Sequence, residues 1–243
     1  AVPLVRRRGE LVVRGIWELV RGDVPVGAHA RGRATVVDLH AAHVSAAHQA
    51  TPWLETTFRY TIFNPRHVFV SGDHLFVGYN NNTVHMWNIN DVPNNDGIVD
   101  TPLKTFRDYD INLYVESVFV MKIDDRWLPT RNCLFTGIGH NLIENRYPPK
   151  NQVRMWDIDA EPKNNGIVDT PIKWFEGHSS HVNSVFVKKI DGSNYLFTGS
   201  DDKTVKMWDI AYGQEVQTFT AGRRQVWCIF VSENGKYLFA GSY

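Results

Sequence analysis

His178, Thr198 and Asp202 are the residue types from which a nucleophile–base–acid set is assembled, the hydroxyl attacking and the His–Asp pair accepting its proton. No nucleophile-elbow or oxyanion-hole motif accompanies them, so the sequence argues against hydrolase chemistry. Residues 91–102 and 160–171 share the run Asn-Asn-(Asp)-Gly-Ile-Val-Asp-Thr-Pro and invite a calcium-loop comparison. With Gly97 in the sixth place, the first and twelfth places fall on Val92 and Leu103, where a calcium loop needs carboxylates. The second copy also has Asn165 where the first has Asp96. A hairpin loop turning on its glycine is the better account of both. His40, His43 and His48 have no cysteine or ordered acidic partner, which favours a disordered polar tract over zinc. No catalytic residue, metal ligand or cofactor is expected.

The elements around these residues repeat. A Phe closes a run at Phe58, Phe106, Phe175 and Phe219. An apolar triplet follows: Val68-Phe69-Val70, Val118-Phe119-Val120, Val185-Phe186-Val187 and Ile229-Phe230-Val231. The step from Phe to triplet is 10, 12, 10 and 10 positions. Leu-Phe-x-Gly then ends on Gly78, Gly137, Gly199 and Gly241, and the first three copies close on Met86-Trp87, Met155-Trp156 and Met207-Trp208. Each run is short, aromatic or β-branched, alternates with period two, and is bounded by Asn, Asp and Gly. An all-β fold follows from that pattern alone.

The best copy, Phe175 to Asp209, carries Gly177-His178, the Val182–Val187 run, Leu-Phe-Thr-Gly-Ser and Met-Trp-Asp. It resembles one unit of the WD-repeat (WD40-type) family, whose blades are four-stranded antiparallel sheets of a β-propeller. The resemblance covers about three and three-quarter repeats over residues 51–243. It implies an outer strand d, then strands a-b-c-d three times, then a and b. Closed propellers have at least four blades, so the expected architecture is an incomplete arc, a fragment of a larger propeller with additional blades outside this chain. An uncovered blade face would forfeit on the order of 10 kcal/mol of burial.

The same resemblance implies a buried structural network of His178, Thr198, Asp202 and Trp208 that rigidifies one blade. The other copies diverge: Asn81 stands for the Asp, and Tyr60, Tyr109 and Gly222 stand near the Gly-His position. It further implies a partner-binding rim at the entry of strand a and the b–c turn. By position the rim residues are Asn64, Arg66, Tyr114, Glu116, His181, Asn183, Asp201, Gln225 and Trp227, with Trp227 the strongest candidate because a large aromatic there has no core role. The segment after Gly137 runs 19 positions to Trp156 against 9 in the neighbouring copies, and its Arg146 and Tyr147 would protrude on that rim.

Residues 1–50 are a different text, without Lys, Asn, Phe, Tyr, Met or Cys, and we expect a compositionally distinct segment, largely irregular, with a short helix over 10–21 suggested by Val12, Ile16, Leu19 and Val20. The 243 residues carry 26 basic and 26 acidic side chains, so no global field draws the chain to nucleic acid or an anionic membrane. Two cysteines, Cys133 and Cys228, sit in β-patterned runs, as free thiols of a reducing, cytoplasmic or nuclear compartment would. No apolar run is long enough to span a bilayer. The expected function is a non-catalytic interaction scaffold gripping a protein or peptide on the rim. Alternatives are the substrate-binding or adaptor arm of a larger enzyme complex (ubiquitin ligase or kinase-linked) and an RNA- or ribosome-associated factor using Arg6-Arg7-Arg8.

Overall fold

A computed structural model describes residues 64–92, 98–107, 113–124, 129–139, 152–163 and 165–242, together with the backbone of His140 and of strands at 11–13, 34–37 and 55–58. In chain order the strands begin with β1 (Leu11–Val13), β2 (Ala34–Val37), β3 (Glu55–Phe58), β4 (Pro65–Ser71), β5 (His74–Tyr79) and β6 (Thr83–Asn88). They continue with β7 (Ile98–Val99), β8 (Lys104–Arg107), β9 (Leu113–Ile123), β10 (Arg131–His140), β11 (Gln152–Asp157), β12 (Ile167–Val168) and β13 (Lys173–Glu176). The last are β14 (Val182–Ile190), β15 (Ser193–Ser200), β16 (Thr204–Asp209), β17 (Gln214–Thr220), β18 (Val226–Val231) and β19 (Leu238–Ser242). No helix occurs among the described residues.

The sheets reproduce the repeat. One blade is β4-β5-β6-β8, the next β9-β10-β11-β13, the third β14-β15-β16-β17, and β18-β19 pair as the first two strands of a fourth. The first strands β4, β9, β14 and β18 lie side by side, so the blades converge on them. Leu11–Val13 is a strand paired in parallel with β2, and the helix expected over 10–21 does not begin there: Val12 takes a ladder partner in Thr35. The rest of that span lies outside the described residues, as do Tyr60, Tyr109, Arg146 and Tyr147. Because β2 also pairs with β3, one sheet crosses the change in composition at 50/51.

Both faces of the second strands β5, β10 and β15 are buried, which is why these read as nearly continuous apolar runs. Leu134 packs toward the preceding blade with Phe76, Phe106 and Val118, while its neighbour Phe135 packs toward the following blade with Val182, Val185 and Trp208. The middle Phe of each triplet forms a ladder across the blades, with ring centroids 5.1 Å apart for Phe69–Phe119, 5.1 Å for Phe119–Phe186 and 5.4 Å for Phe186–Phe230. Tilted and edge-to-face rings at such spacing add attraction beyond their burial. On the outward face of β18–β19, Phe230 and Phe239 are 48% and 57% exposed, whereas their counterparts in the preceding blade, Phe186 and Phe197, are half-buried and buried.

The terminal glycine of Leu-Phe-x-Gly has a steric cause. A Cβ on Gly78 would meet Val115 Cγ1 at 2.5 Å, one on Gly137 the carbonyl oxygen of Val182 at 2.8 Å, and one on Gly199 Val226 Cγ1 at 2.7 Å. In each case the next blade's first strand occupies the space a side chain would need.

The two near-copy inserts act as more than hairpin loops. Asn165 and Gly166 do turn at positive φ (75° and 72°), closing a small Lys163–Ile167 bridge. Beyond the turn, Ile167–Val168 pairs in parallel with β8, the outer strand of the preceding blade, and Ile98–Val99 pairs likewise with β3. A lysine ties the same blades: Lys104 Nζ donates to the carbonyls of Ile158 and Ala160, both at 2.9 Å. Lys173 repeats this at Ile210 and Ala211, at 2.6 and 2.7 Å.

Candidate functional site

Every first strand carries a β-bulge at the same place. The register skips one residue between Pro65 and His67, between Val115 and Ser117, between Val182 and Ser184, and between Val226 and Cys228. The unpaired residues are therefore Arg66, Glu116, Asn183 and Trp227. A bulge frees one side chain from the ladder and re-aims it, and bulges concentrate beside functional sites. Four at one level set four dissimilar side chains in a row along the inner end of the blades.

Their contacts make a polar arc. Arg66 Nη1 donates to Glu116 Oε2 at 3.1 Å, and its guanidinium lies 4.7 Å over the ring of Tyr114. Asn183 Nδ2 donates to Asp201 Oδ1 at 2.5 Å and to the carbonyl of Val226 at 2.9 Å, reaching the next blade. Glu116 and His181 meet over Gly139, where a Cβ would stand 2.9 Å from Glu116 Oε1 and from His181 Nδ1. Gly139 is the site residue that sequence reasoning missed; its signal was a second glycine two places after Leu-Phe-Thr-Gly. The extended turn expected after Gly137 begins later, because β10 continues past the bulge to His140.

The arc is partly wet. The Arg66 side chain is 38% exposed and that of Glu116 14%. Burial pushes the Glu116 carboxyl above its usual value, Arg66 opposes this, Asp201 adds to it and His67 opposes it. Gln225 and Trp227 stand exposed at the far end of the row, Trp227 at 50%. Asn64 is engaged with its turn, its amide donating to Asn80 Oδ1 at 3.0 Å while its carbonyl accepts from the Asn80 amide at 3.1 Å. A cation, a neutral amide, two carboxylates, a stacked tyrosine and an exposed indole make a surface suited to mixed polar and aromatic contact. No group of three or more potential metal ligands converges among the described residues.

Behind the rim, His178 Nδ1 lies 2.7 Å from Asp202 Oδ2, His178 Nε2 lies 2.7 Å from Thr198 Oγ1, and Trp208 Nε1 donates to Thr198 Oγ1 at 2.9 Å. The Asp202 carboxylate also accepts the Ser179 amide at 3.0 Å and, through Oδ1, the Thr204 amide at 3.0 Å. Burial works against its charge, yet the hydrogen bonds from His178 and Thr204, the charge of His178 and the Ser179 amide hold its pKa well below the ordinary range. Thr198 is completely buried, its hydroxyl bound on both sides, and so cannot present a nucleophile to a substrate. The blade before keeps half of this set, Trp156 Nε1 donating to Thr136 Oγ1 at 3.2 Å.

A second line of bonds, also unread from sequence, links first strands directly. Val118 N donates to His67 Nδ1 at 3.2 Å, Val185 N to Ser117 Oγ at 3.1 Å and Ile229 N to Ser184 Oγ at 3.2 Å. The residue after each bulge thus caps the next blade's triplet. Cys133, fully buried, has its thiol pushed up to about 12 by burial and is chemically quiet; Cys228 is half-buried and free.

A family model described as "WD domain, G-beta repeat" matches residues 169–209 and 213–243. Among curated proteins, the chain is similar to the U5 small nuclear ribonucleoprotein 40 kDa protein of Mus musculus, 48% identical over 48 residues, which is 20% of this chain and 13% of that protein. It is similar to the small ribosomal subunit protein RACK1 of Caenorhabditis elegans, 31% identical over 68 residues, 28% of this chain and 20% of that protein. It is also similar to the ribosome biogenesis protein BOP1 homolog of Drosophila mojavensis, 42% identical over 57 residues, 22% and 7% respectively. The matched stretches thus span a fifth or less of these relatives.

Proposed function

We propose that this chain, in which WD repeats match residues 169–209 and 213–243, is a non-catalytic scaffold gripping a protein or peptide partner along its row of bulges. The observation that carries the reading is the alignment of Arg66, Glu116, Asn183 and Trp227 at one level of four successive first strands. Arg, Tyr and Trp are enriched among residues that dominate binding energy, and Arg66, Tyr114 and Trp227 supply one of each. Gly139 has no side chain to hold Glu116 and His181 apart, so both side chains close over it at the level of the rim. Scaffolding rather than catalysis is supported by the burial of Thr198, the hydroxyl on His178 Nε2, and by the Thr204 hydroxyl being held as a donor to Asp202.

The relatives are named for a small nuclear ribonucleoprotein, a small ribosomal subunit and ribosome biogenesis. We therefore read the partner as a protein subunit of a ribonucleoprotein assembly, in nucleus or cytoplasm, in preference to RNA itself. The balance of 26 basic against 26 acidic residues supports that preference.

Quantitative affinity purification with the full chain tests the reading. Proteins recovered with the unaltered chain should fall several-fold with Trp227→Ala and with Arg66→Ala, while Lys189→Ala on another surface leaves them unchanged and all variants melt alike. Recovery indifferent to both rim changes would refute it.

A further inference from the structure

The outer strands of successive blades are not treated alike. The outer edges of β3 and β8 are each covered by a two-residue parallel strand from the next blade's insert, β7 and β12. The edge of β13 has no such cover among the described residues, because the following blade joins β16 to β17 by a tight turn, Gly213 N donating to the Asp209 carbonyl at 2.8 Å. Trp174, in the place of Thr57 and Thr105, is 45% exposed, and Ile172 beside it 39%. A bare strand edge with flanking apolar surface is a template for another strand.

The two covered edges define what the bare one would accept. In both, the covering segment reads Gly-Ile-Val-Asp, with Ile opposite the residue before the Phe and Val opposite the Phe itself: Ile98–Val99 on Thr57-Phe58, Ile167–Val168 on Thr105-Phe106. The Thr105 amide donates to the carbonyl of Gly166 at 2.9 Å, and Val168 is only 5% exposed. One residue further along, Asp100 and Asp169 follow the valines and Arg59 and Arg107 the phenylalanines, with Asp169 held at 2.7 Å by Lys163 of its own insert, so no acid is opposed by an acid at these edges. At the bare edge the residue after Phe175 is Glu176, and it is exposed. The charge is reversed, so this chain's own Val-Asp inserts are opposed there and a basic residue is favoured.

We propose that the outer edge of β13 is a docking site for an extended segment of a partner protein reading Gly-Ile-Val-Lys or Gly-Ile-Val-Arg, added as a parallel strand. The Trp174 amide takes the glycine carbonyl, the Val amide returns to the Trp174 carbonyl as a parallel ladder requires, the Ile lies against the Trp174 ring, and the basic residue faces Glu176. This surface lies on the outer perimeter and is independent of the inner rim.

Fluorescently labelled peptides Asn-Asn-Gly-Ile-Val-Lys-Thr-Pro and Asn-Asn-Gly-Ile-Val-Asp-Thr-Pro, titrated against the full chain, provide the test. The Lys peptide should bind roughly three- to fivefold more tightly, as expected for one exposed charge pair. Glu176→Lys, an exposed change that leaves melting unaltered, should invert the preference. N-methylation at the peptide Val should weaken binding about tenfold or more by removing a ladder bond, while N-methylation at Ile changes nothing. Peptide should slow hydrogen exchange at the Trp174 amide. Absence of binding at millimolar Lys peptide, a preference indifferent to Glu176→Lys, or protection at Thr105 in place of Trp174 would each overturn the proposal.

Discussion

The hydroxyl of Ser117 accepts the amide of Val185, 3.1 Å away in the next blade, and both groups are buried. This bond joins two first strands, β9 and β14, that share no ladder with each other. Ser117→Ala keeps the packing but strands the Val185 donor away from water, which costs about 1–3 kcal/mol. Denaturant unfolding should report that loss. The equivalent Ser184→Ala, which strands Ile229, should lose a similar amount, the two adding because they sit in different blade interfaces.

His178 and Asp202 tie acid sensitivity to one blade. The native pKa of Asp202 is depressed below the unfolded carboxylate value of about 3.9, so its stabilisation is complete above that value and fades as pH falls through 4 and below. Asp202→Asn should therefore lose roughly 2–3 kcal/mol at pH 7 and show a smaller further loss on acidification than the unaltered chain. Thermal melts between pH 7 and pH 3 check both parts. His178→Ala combined with Asp202→Asn should cost much less than the sum, because the first change already breaks the network.

His85 acts over a different pH range. It is buried, stacked on Trp87 at 5.4 Å and edge-on to Tyr79 at 5.0 Å, and burial lowers its pKa from 6.5 to about 4. The unfolded chain then binds a proton that the native one refuses between pH 6.5 and 4, so stability declines as pH falls through that window by about 3 kcal/mol. His85→Phe keeps the aromatic stack and should remove that part of the slope. A melting curve against pH that stays parallel to the unaltered chain would contradict it.

Gly137→Ala tests the cause of the Leu-Phe-x-Gly motif. The added methyl meets the Val182 carbonyl, a backbone atom that cannot step aside, at 2.8 Å. Overpacking of this kind costs typically 1–3 kcal/mol. Gly199→Ala meets the tip of Val226 at 2.7 Å, a side chain with more room to yield, and should cost less.

The strands and their register around Phe69, Phe119, Phe186 and Phe230 were legible because each depends on short-range alternation, and the repeat supplied internal copies against which to align. The rim residues could be named by position, but what joins them could not. Arg66 meets Glu116 across 50 positions, and Asn183 reaches the carbonyl of Val226 across 43. The buried Arg154, donating to Asn82 at 2.7 Å across 72 positions, gave no sign of itself in a strand that otherwise reads as apolar.

By itself, the sequence determined the all-β class, the recurring runs and the glycine that ends each second strand, because alternation, turn residues and recurring spacings are local properties. The strand order of a blade and the residues of the His178–Trp208 network came from the resemblance of Phe175 to Asp209 to one WD-repeat unit. Tertiary structure decided what happens between blades: the bulges that level Arg66 with Trp227, the serines that cap the next triplet, and the inserts whose Ile-Val pairs cover β3 and β8 but leave β13 bare. Those contacts join residues from separate blades, and their energy depends on the space between two surfaces, which no one stretch of chain encodes.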